Sequence, residues 1–128
     1  IYSPRCLSHT TRHEAASLVD LMPTMAGLLG NTYLNTTMGR DLNATAPEGD
    51  RSVYIQTSDK RFPIIGVVNS RFALRMNRDG GNARLHPVNN GDPRQDLSEK
   101  FPDEFEKMKR TARGIYELTR YQMYANAP

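Results

Sequence analysis

The sequence predicts an α/β fold of the α+β kind, in which a short capped helix precedes a four-stranded antiparallel meander packed by a long C-terminal helix. Three observations predict this fold. Apolar residues recur at helical spacing between Asp20 and Gly30. Four short segments between residues 52 and 88 have the pattern of strands. An apolar stripe at three- and four-residue steps then runs from Phe101 to Ile115.

The first helix is predicted over residues 21–29 by its two ends and its apolar face. Asp20 is a favourable N-cap, because its carboxylate can accept hydrogen bonds from the free N–H groups of the first turn. Pro23 fits only that turn, where its missing N–H is not needed. Gly30 can adopt the left-handed conformation that ends a helix. The apolar residues at helical spacing are Met22, Met25, Ala26 and Leu29.

The residues on either side of this helix predict the remnant of a core sheet and a long connection. Ile1–Ser3 is typical of the end of a strand, which Pro4 terminates. Residues 31–50 are rich in Asn, Thr, Gly and Pro, and they predict a surface connection. Within this connection, Met38 and Leu42 are the expected inward-pointing anchors.

Four strands are predicted at residues 52–57, 63–69, 71–76 and 83–88. The first and third alternate in polarity, which is the period of a half-buried strand, and the second is continuously apolar. Residues 69–70 predict a tight turn. Residues 79–82 (Asp-Gly-Gly-Asn) predict a hairpin, because glycine adopts positive φ without steric cost. Strands joined in this way form an antiparallel meander with one buried face.

The last element is a helix predicted from Pro102 to about Tyr124. Pro102 is compatible with the first turn, and the carboxylates of Asp103 and Glu104 complement the helix dipole there. We expect its apolar stripe to pack on the buried face of the meander. The stripe consists of Phe101, Phe105, Met108, Ala112 and Ile115.

The net charge of the 128 residues is only +3, but the positive charge is concentrated in the predicted sheet. From Arg51 to Arg84 there are seven basic and two acidic residues. The candidate anion-contacting residues are Arg71, Arg75 and Arg78. Alternatively, the arginines simply occupy the solvent side of antiparallel strands. We expect no nucleic-acid partner, because the sequence has no zinc-finger, RNA-binding or helix-turn-helix signature.

No residue has the sequence context of a catalytic group, so we predict no catalytic, cofactor-binding or metal-binding residue. His9 and His13 have the spacing of two zinc ligands on a helix, but they lie in a polar region without a third ligand. His86 is interpreted as a structural histidine of the fourth strand. No two carboxylates are placed by sequence as an acid–base pair.

Other polar residues predict surface loops. Asp92 and Asp96 are interpreted as turn and capping residues. Asn35-Thr36-Thr37 and Asn43-Ala44-Thr45 are glycosylation sequons, which occur on surface loops. Cys6, the only cysteine, is expected to be a small buried apolar residue.

Four segments carry a resemblance to one enzyme family. Val19-Asp20-Leu21-Met22-Pro23-Thr24 resembles the Val-Asp-Leu-x-Pro-Thr segment in the C-terminal part of the sulfatase family, within the alkaline-phosphatase superfamily. Ile1–Pro4 is similar to the end of a core strand of that family. Met38–Leu42 is similar to the Gly-x-x-Leu element that follows the helix. Leu85–Leu97 is similar to the segment Leu-Tyr-Asp-Leu…Asp-Pro-x-Glu…Asn-Leu.

The resemblance implies that the chain is the C-terminal fragment of a metal-dependent hydrolase or transferase acting on sulfate or phosphate esters. Residues 1–50 would be the end of the catalytic α/β core, with the capped helix and connecting loop. Residues 51–128 would be a C-terminal antiparallel-sheet subdomain with the terminal helix. The nucleophile and the divalent metal (Ca, Mg, Mn or Zn) belong to the family's upstream residues. The rest of that catalytic domain is the implied partner, and no catalytic residue is carried over.

Within the family, the sequence favours the phosphoglycerol-transferase or lipoteichoic-acid-synthase-like branch over the true sulfatases. The reasons are the Gly39–Leu42 element and the extended last helix with Tyr121 and Tyr124. Cys6 does not match the formylglycine precursor, because the family's Cys-x-Pro-x-Arg pattern does not follow it. The family resemblance implies a periplasmic or other extracytoplasmic location, with a membrane anchor upstream in some members.

The alternative function is that of an interaction module, in which the arginine-rich sheet recognises an anionic ligand or a partner protein. If the chain is the C-terminal fragment that the resemblance implies, an apolar face would be left open without the upstream strands. That face consists of Leu18, Leu21, Met25 and Leu28, and we expect homo-oligomers to form through it.

Overall fold

The computed structural model describes residues 11, 14–30, 32, 34–44, 51–57, 63–89 and 91–125. The chain divides into two compact units, Ile1–Arg51 and Ser52–Pro128. The predicted core-sheet remnant at Ile1–Ser3 lies outside the described residues, as do Cys6 and the pair His9 and His13. The secondary structure of the two units is α+β, with a four-stranded antiparallel sheet, a long C-terminal helix and a short helix.

The first unit contains the short helix. A 3₁₀ turn over Leu18–Asp20 continues directly into α1 (Leu21–Leu29), whose bounds are those predicted. Pro23 lies in its first turn and is buried. Gly30 ends the helix with a φ of 66°, in the left-handed region, and its N–H donates to the Gly27 carbonyl at 3.2 Å. The helix therefore ends at Gly30, as predicted.

The second unit is built on the sheet. Its strands are β1 (Val53–Gln56), β2 (Ile64–Val68), β3 (Phe72–Asn77) and β4 (Arg84–Pro87). They lie in the order β1-β2-β3-β4, and each pairs antiparallel with the next. This arrangement confirms the predicted meander.

Two turns fix the register of the central strands. The buried side chain of Asn69 accepts hydrogen bonds from the N–H groups of Arg71 at 3.0 Å and Phe72 at 2.7 Å, which closes the β2–β3 turn. At the β3–β4 turn, Gly80 has a φ of 90°, which favours glycine. The Asn77 N–H donates across that turn to the Gly81 carbonyl at 2.8 Å.

One face of the sheet is buried under the C-terminal helix. Along β3, Phe72, Leu74 and Met76 are buried, whereas Arg75 on the opposite face is exposed. Helix α2 (Pro102–Ala125) packs on β2 and β3. The remaining buried apolar residues of this core are Ile65, Val67, Leu85, Leu97, Met108 and Ala112. In the described part of the chain, no helix combines the length and the hydropathy that crossing a membrane requires.

The alternation of β3 predicts opposite responses to truncation at neighbouring positions. Leu74→Ala should lower the free energy of unfolding by about 2–5 kcal/mol, because it opens a cavity in the core. Arg75→Ala on the exposed face is the matched control and should change it by no more than about 0.5 kcal/mol. Urea unfolding followed by circular dichroism measures both values. Equal effects at the two positions would contradict the one-sided burial of β3.

Candidate functional site

The most buried polar side chains of the first unit form a hydrogen-bond cluster around Asp20. This carboxylate is only 3% exposed. Its Oδ2 accepts the N–H of Ser17 at 2.8 Å, and its Oδ1 accepts the N–H of Arg40 at 3.0 Å. Asp20 occupies the N-cap position of α1, as predicted, but the capping role expected of its carboxylate was wrong. Asp20 already has helical dihedrals (φ −78°, ψ −13°), and its side chain makes no capping bond to α1, because it binds the backbone of the 3₁₀ turn and the later loop instead.

Thr24 completes the cluster from the next turn of the helix. Its hydroxyl, in a side chain only 2% exposed, donates to the Asp20 carbonyl at 2.6 Å and accepts the N–H of Leu42 at 3.0 Å. We call this network the Asp20–Thr24 cluster. It consists of the side chains of Asp20 and Thr24 and the backbone N–H groups that they accept, those of Ser17, Arg40 and Leu42. The cluster joins the segment around Val19–Thr24 to the segment Met38–Leu42, two of the segments that carry the family resemblance.

Two glycines allow these segments to approach each other closely. A Cβ atom on Gly39 would overlap the carbonyl oxygen of Val19, and a Cβ atom on Gly27 would overlap the carboxylate of Asp41. The loop therefore lies directly against the backbone of the 3₁₀ turn and of α1. Of the two predicted inward anchors, Leu42 is half-buried but Met38 is exposed, so the prediction for Met38 was wrong.

Two arginines of the same unit reach neighbouring residues. Arg40 Nη2 donates to the Ala15 carbonyl at 3.1 Å, and Arg51 Nη1 lies 3.7 Å from a carboxylate oxygen of Glu14. The Arg51 side chain is only 8% exposed. Among the described residues, the Nε atoms of Arg40 and Arg51 are buried without a hydrogen-bond acceptor. Burial of an unpaired donor costs free energy, so these two guanidinium groups are incompletely satisfied.

The first glycosylation sequon is part of the loop structure. Asn35 Nδ2 donates to the Gly39 carbonyl at 2.6 Å, and Asn35 Oδ1 accepts the Thr37 N–H at 3.0 Å. The Asn35 amide therefore stabilises the loop that leads into the Asp20–Thr24 cluster. The second sequon ends at Thr45, which lies outside the described residues.

The structure distributes the candidate anion-contacting arginines over different places. Arg71 precedes β3 and lines a groove together with Lys100. Arg75 lies within β3 directly opposite Arg84 of β4, and these two residues line a smaller groove of about 240 Å³. Arg78 is exposed and follows β3, where its N–H donates to the Pro63 carbonyl at 3.1 Å. The side chains of these three arginines therefore do not form one cluster on the exposed face of the sheet.

The larger groove, of about 470 Å³, combines cations with aromatic rings. The rings of Phe72 and Phe101 lie 5.0 Å apart between centroids and are tilted by 50°. The Arg71 guanidinium lies 5.2 Å from the Phe72 centroid, and the Lys100 ammonium lies 5.7 Å from the Phe101 centroid. We call this larger groove the Phe101 groove. Its further lining residues include Pro87, Gln95 and Leu97.

Lys100 was not among the residues singled out from the sequence, and Phe101 was singled out only as the start of the apolar stripe of the last helix. They are separated from Arg71 and Phe72 by 29 positions. The pairing of β3 with β4, the attachment of Leu97 to β4 and the packing of α2 on the sheet bring the two pairs together. The sequence does carry a signal that could have found them. Arg71-Phe72 and Lys100-Phe101 are both a basic residue followed by phenylalanine.

Asp96 attaches the loop beside the groove to β4. Its Oδ1 accepts the N–H groups of Leu85 at 3.2 Å and Ser98 at 3.1 Å, and the Leu97 N–H donates to the Leu85 carbonyl at 2.7 Å. Burial raises the pKa of Asp96, but the hydrogen bonds from Ser98 and Leu85 and the charge of Arg84 outweigh it, so the pKa is lowered. The predicted turn role of Asp96 is confirmed. Asp92 has a similar role, because its Oδ1 accepts the Arg94 N–H at 2.9 Å.

His86 is a structural residue, as predicted. Its Nδ1 lies 3.0 Å from the Gln95 carbonyl oxygen, and since a carbonyl can only accept, Nδ1 carries the proton. Its Nε2 is buried and has no partner among the described residues. No group of three His, Cys, Asp or Glu residues that could hold a metal ion occurs in the described part of the chain.

Among the described residues, Tyr54 is the other titratable side chain with a shifted pKa. Burial, with a smaller contribution from Tyr116, raises its pKa to about 12. Its hydroxyl donates to the Gln56 side chain at 3.0 Å. The phenol therefore stays protonated throughout the neutral pH range and serves the packing of the sheet.

No protein-family model matches the chain, and no curated protein matches its sequence.

The Asp20–Thr24 cluster can be tested at Thr24. Thr24→Val removes the hydroxyl and leaves the partly buried Leu42 N–H without its acceptor, which should cost about 1–3 kcal/mol. Amide hydrogen exchange at Leu42 should then accelerate by at least about tenfold. Thr111→Val is the matched control, because Thr111 also donates to the carbonyl four residues earlier, but this bond is exposed to solvent and joins no loop to the helix. Unchanged exchange at Leu42 in Thr24→Val would contradict the cluster.

The lowered pKa of Asp96 predicts a loss of stability in acid. Above its ordinary value of 3.8 the carboxylate is ionised in both states, and its contribution to folding is fully present. As the pH falls below 3.8, the unfolded chain binds the proton first, and the contribution is lost as the pH passes through the lower folded value. Asp96→Asn should therefore flatten the decline of urea-unfolding stability below about pH 4.

Asp92→Asn serves as the comparison for that measurement, because Asp92 bonds only within its own loop. The slope of stability against pH is measured for the unmodified chain and for both variants. A slope of Asp96→Asn equal to that of the unmodified chain would show that the Asp96 hydrogen bonds do not favour its ionised form.

Proposed function

We propose that this chain is the C-terminal, non-catalytic part of a metal-dependent enzyme of the sulfatase family that acts on sulfate or phosphate esters. Its role is to complete the fold of the catalytic domain and to shape the substrate side. The observation that carries the proposal is the Asp20–Thr24 cluster. Asp20 and Thr24, which the family resemblance includes, bond to the backbone of Arg40 and Leu42 in the next segment of the resemblance.

The exposed apolar face of the first unit supports the proposal that this unit contacts a large protein partner. Of the residues predicted to form this face, Leu18, Leu21 and Met25 are exposed by 89%, 46% and 46%, whereas Leu28 is half-buried. Leu29 of the same helix is exposed by 70%. An exposed patch of this kind marks a surface that contacts further protein. The proposed partner is the upstream part of the same catalytic domain, which would supply the nucleophile and the divalent metal. An extracytoplasmic location belongs to the same proposal.

The incompletely satisfied guanidinium groups of Arg40 and Arg51 also support the proposed contact with this partner. Among the described residues they lack acceptors for their buried Nε donors. Carbonyl or carboxylate oxygens of an adjoining part of the catalytic domain would satisfy them, and such charge-assisted bonds are stronger than neutral ones.

The second candidate function is an anion-binding interaction module, and the cations of the sheet favour it. Arg75 and Arg84 lie opposite each other, and like charges in that position repel. An anion held between them would relieve this repulsion. Binding to heparin that weakens with salt and is lost in Arg75→Ala would favour this candidate over a purely supporting role.

The coding sequence upstream of Ile1 tests the first candidate. We expect an open reading frame that contains either a Cys/Ser-x-Pro-x-Arg motif, as in sulfatases, or a membrane anchor followed by a threonine nucleophile, as in phosphoglycerol transferases. An upstream sequence with neither motif would contradict the proposal. The same result would leave the interaction module as the better description.

The purified 128-residue chain should be inactive on ester substrates. We expect no turnover of 4-nitrophenyl sulfate or bis(4-nitrophenyl) phosphate in the presence of Ca²⁺, Mg²⁺, Mn²⁺ or Zn²⁺, because the groups that activate the nucleophile belong upstream. Absorbance of the released 4-nitrophenol measures the rate. Metal-dependent turnover that persists through repeated purification would overturn the non-catalytic role.

The apolar face should make the isolated chain self-associate. Sedimentation equilibrium should show a concentration-dependent increase in mass, and Leu21→Lys should reduce it by placing a charge on the face. Leu118→Lys on α2 is the matched control, because Leu118 is equally exposed at 46% but lies outside this face. A monomer at all concentrations, or equal effects of the two variants, would contradict association through α1.

A further inference from the structure

The face of the sheet that points away from α2 combines aliphatic and basic side chains. We propose that this face docks a segment of a partner protein that carries aliphatic side chains next to a carboxylate, and that the carboxylate lies between Arg75 and Arg84. This docking rests on the second candidate function, the interaction module, and identifies its partner as an acidic segment of a protein. It does not depend on membership of the sulfatase family.

The strand register places the relevant side chains on one side of the sheet, which we call the open face. Ile55, Gly66, Arg75 and Arg84 are successive cross-strand partners from β1 to β4, so they share a face. Leu74, the neighbour of Arg75, is buried in the core beneath α2. Because successive side chains of a strand alternate between faces, the row of Arg75 lies on the side away from the helix.

β2 has the composition of a strand that is buried on both faces. Its sequence is Ile-Ile-Gly-Val-Val, without the alternation of apolar and polar residues that is typical of an antiparallel sheet with one solvated face. Ile65 and Val67 belong to the core, so Ile64 and Val68 lie on the open face, where both are half-buried. The sequence of β2 therefore favours a further layer of protein on the open face.

The apolar surface of the open face continues from β2 onto β1. Ile55 is 44% exposed, and its side chain lies against Gly66, where a Cβ atom would come within 3.2 Å of Ile55 Cγ1. Val53, two residues earlier, is half-buried on the same face. Apolar patches of this kind mark surfaces that contact other proteins. This half of the open face therefore selects a partner with aliphatic side chains.

The other half of the open face carries two cations. Arg75 and Arg84 are exposed and directly opposite each other, so their Cβ atoms lie about 5 Å apart. Arg84 contributes to the lowered pKa of Asp96, but neither arginine forms an ion pair with a described residue. A carboxylate between the two guanidinium groups would accept charge-assisted hydrogen bonds from both and offset their repulsion.

The groove between the two arginines has the size of a site for a single side chain. Its volume of about 240 Å³ is below the range of about 300–1,000 Å³ that is usual for small-molecule sites. Asn77 and Asn82 also line it, and their amide groups can donate further hydrogen bonds to a carboxylate. None of its described lining residues is aromatic, whereas sites for single-stranded nucleic acids stack bases on aromatic rings. These features favour an aspartate or glutamate side chain of a protein.

Docking can be measured on the whole 128-residue chain with a helical peptide of three heptads. The peptide has leucine at positions a and d and glutamate at position e, which lie on one side of the helix, with alanine and glutamine elsewhere. Titration into ¹⁵N-labelled protein should give saturable amide shifts centred on the open face of β1–β4. Arg75→Ala should weaken binding by about tenfold, and Ile55→Ser by at least about fivefold.

Two positions of α2 provide matched controls, because α2 packs on the opposite face of the sheet. Arg113 is exposed like Arg75, and Leu118 is 46% exposed, close to the value for Ile55. Arg113→Ala and Leu118→Ser should leave the affinity for the peptide unchanged. Thermal unfolding establishes that each variant is folded.

An exchange of charge separates recognition of the carboxylate from general adhesion of an apolar peptide. A peptide with glutamine in place of glutamate should bind the unmodified chain at least about tenfold more weakly. A peptide with lysine in place of glutamate should bind the double variant Arg75→Glu and Arg84→Glu more tightly than it binds the unmodified chain.

Equal binding of the glutamate and glutamine peptides would overturn the docking surface, as would amide shifts confined to α1 or α2, or an affinity that does not respond to Ile55→Ser. Heparin binding that is lost in Arg75→Ala, with no binding of the glutamate peptide, would keep the second candidate function and overturn the acidic protein partner. Because the readout is binding and not turnover, its failure is distinct from a failure of the proposed enzyme family.

Discussion

The alternation of side chains along β3 is the constraint on which the second unit depends. Phe72, Leu74 and Met76 fill the space beneath α2, and Arg75 is held in solvent on the other face. A shift of one residue in register would bury the arginine and expose the apolar set. The same constraint places Arg71 at the start of the strand, where the Phe101 groove begins. The basic groove is thus a by-product of how the core is packed.

The two units use polar side chains in different ways. In the first unit, Asp20 and Thr24 are buried, and their bonds go to backbone N–H groups, which gives an otherwise irregular loop a defined path. In the second unit, Arg71 and Lys100 are exposed and their guanidinium and ammonium groups lie over aromatic rings. The first arrangement suits a supporting role, and the second suits recognition of a ligand.

The elements were predictable because their signals are local, whereas the partners of the polar groups were not. Gly30 and the apolar spacing place α1 correctly. The alternation of β1 and β3, the apolar run of β2 and the turn residues place each strand within a residue or two of its observed ends. The partner of the Asp20 carboxylate lies twenty residues further along the chain, at Arg40. The neighbour of Arg71 in the groove, Lys100, is set by the packing of α2. Such long-range pairings depend on the assembled fold and leave no periodic trace in the sequence.

The attachment of the 92–98 loop to β4 also determines how the sheet can grow. Both backbone groups of Leu85 are occupied, its N–H by the Asp96 carboxylate and its carbonyl by the Leu97 N–H. An incoming strand therefore finds no free backbone donor or acceptor at Leu85. Covering an edge strand in this way is one means by which proteins prevent edge-to-edge aggregation. Among the described strands, β1 pairs with β2 alone. Among the described strands, the outer edge of β1 (Val53–Gln56) is therefore the edge at which a segment of a larger protein or another chain can extend the sheet.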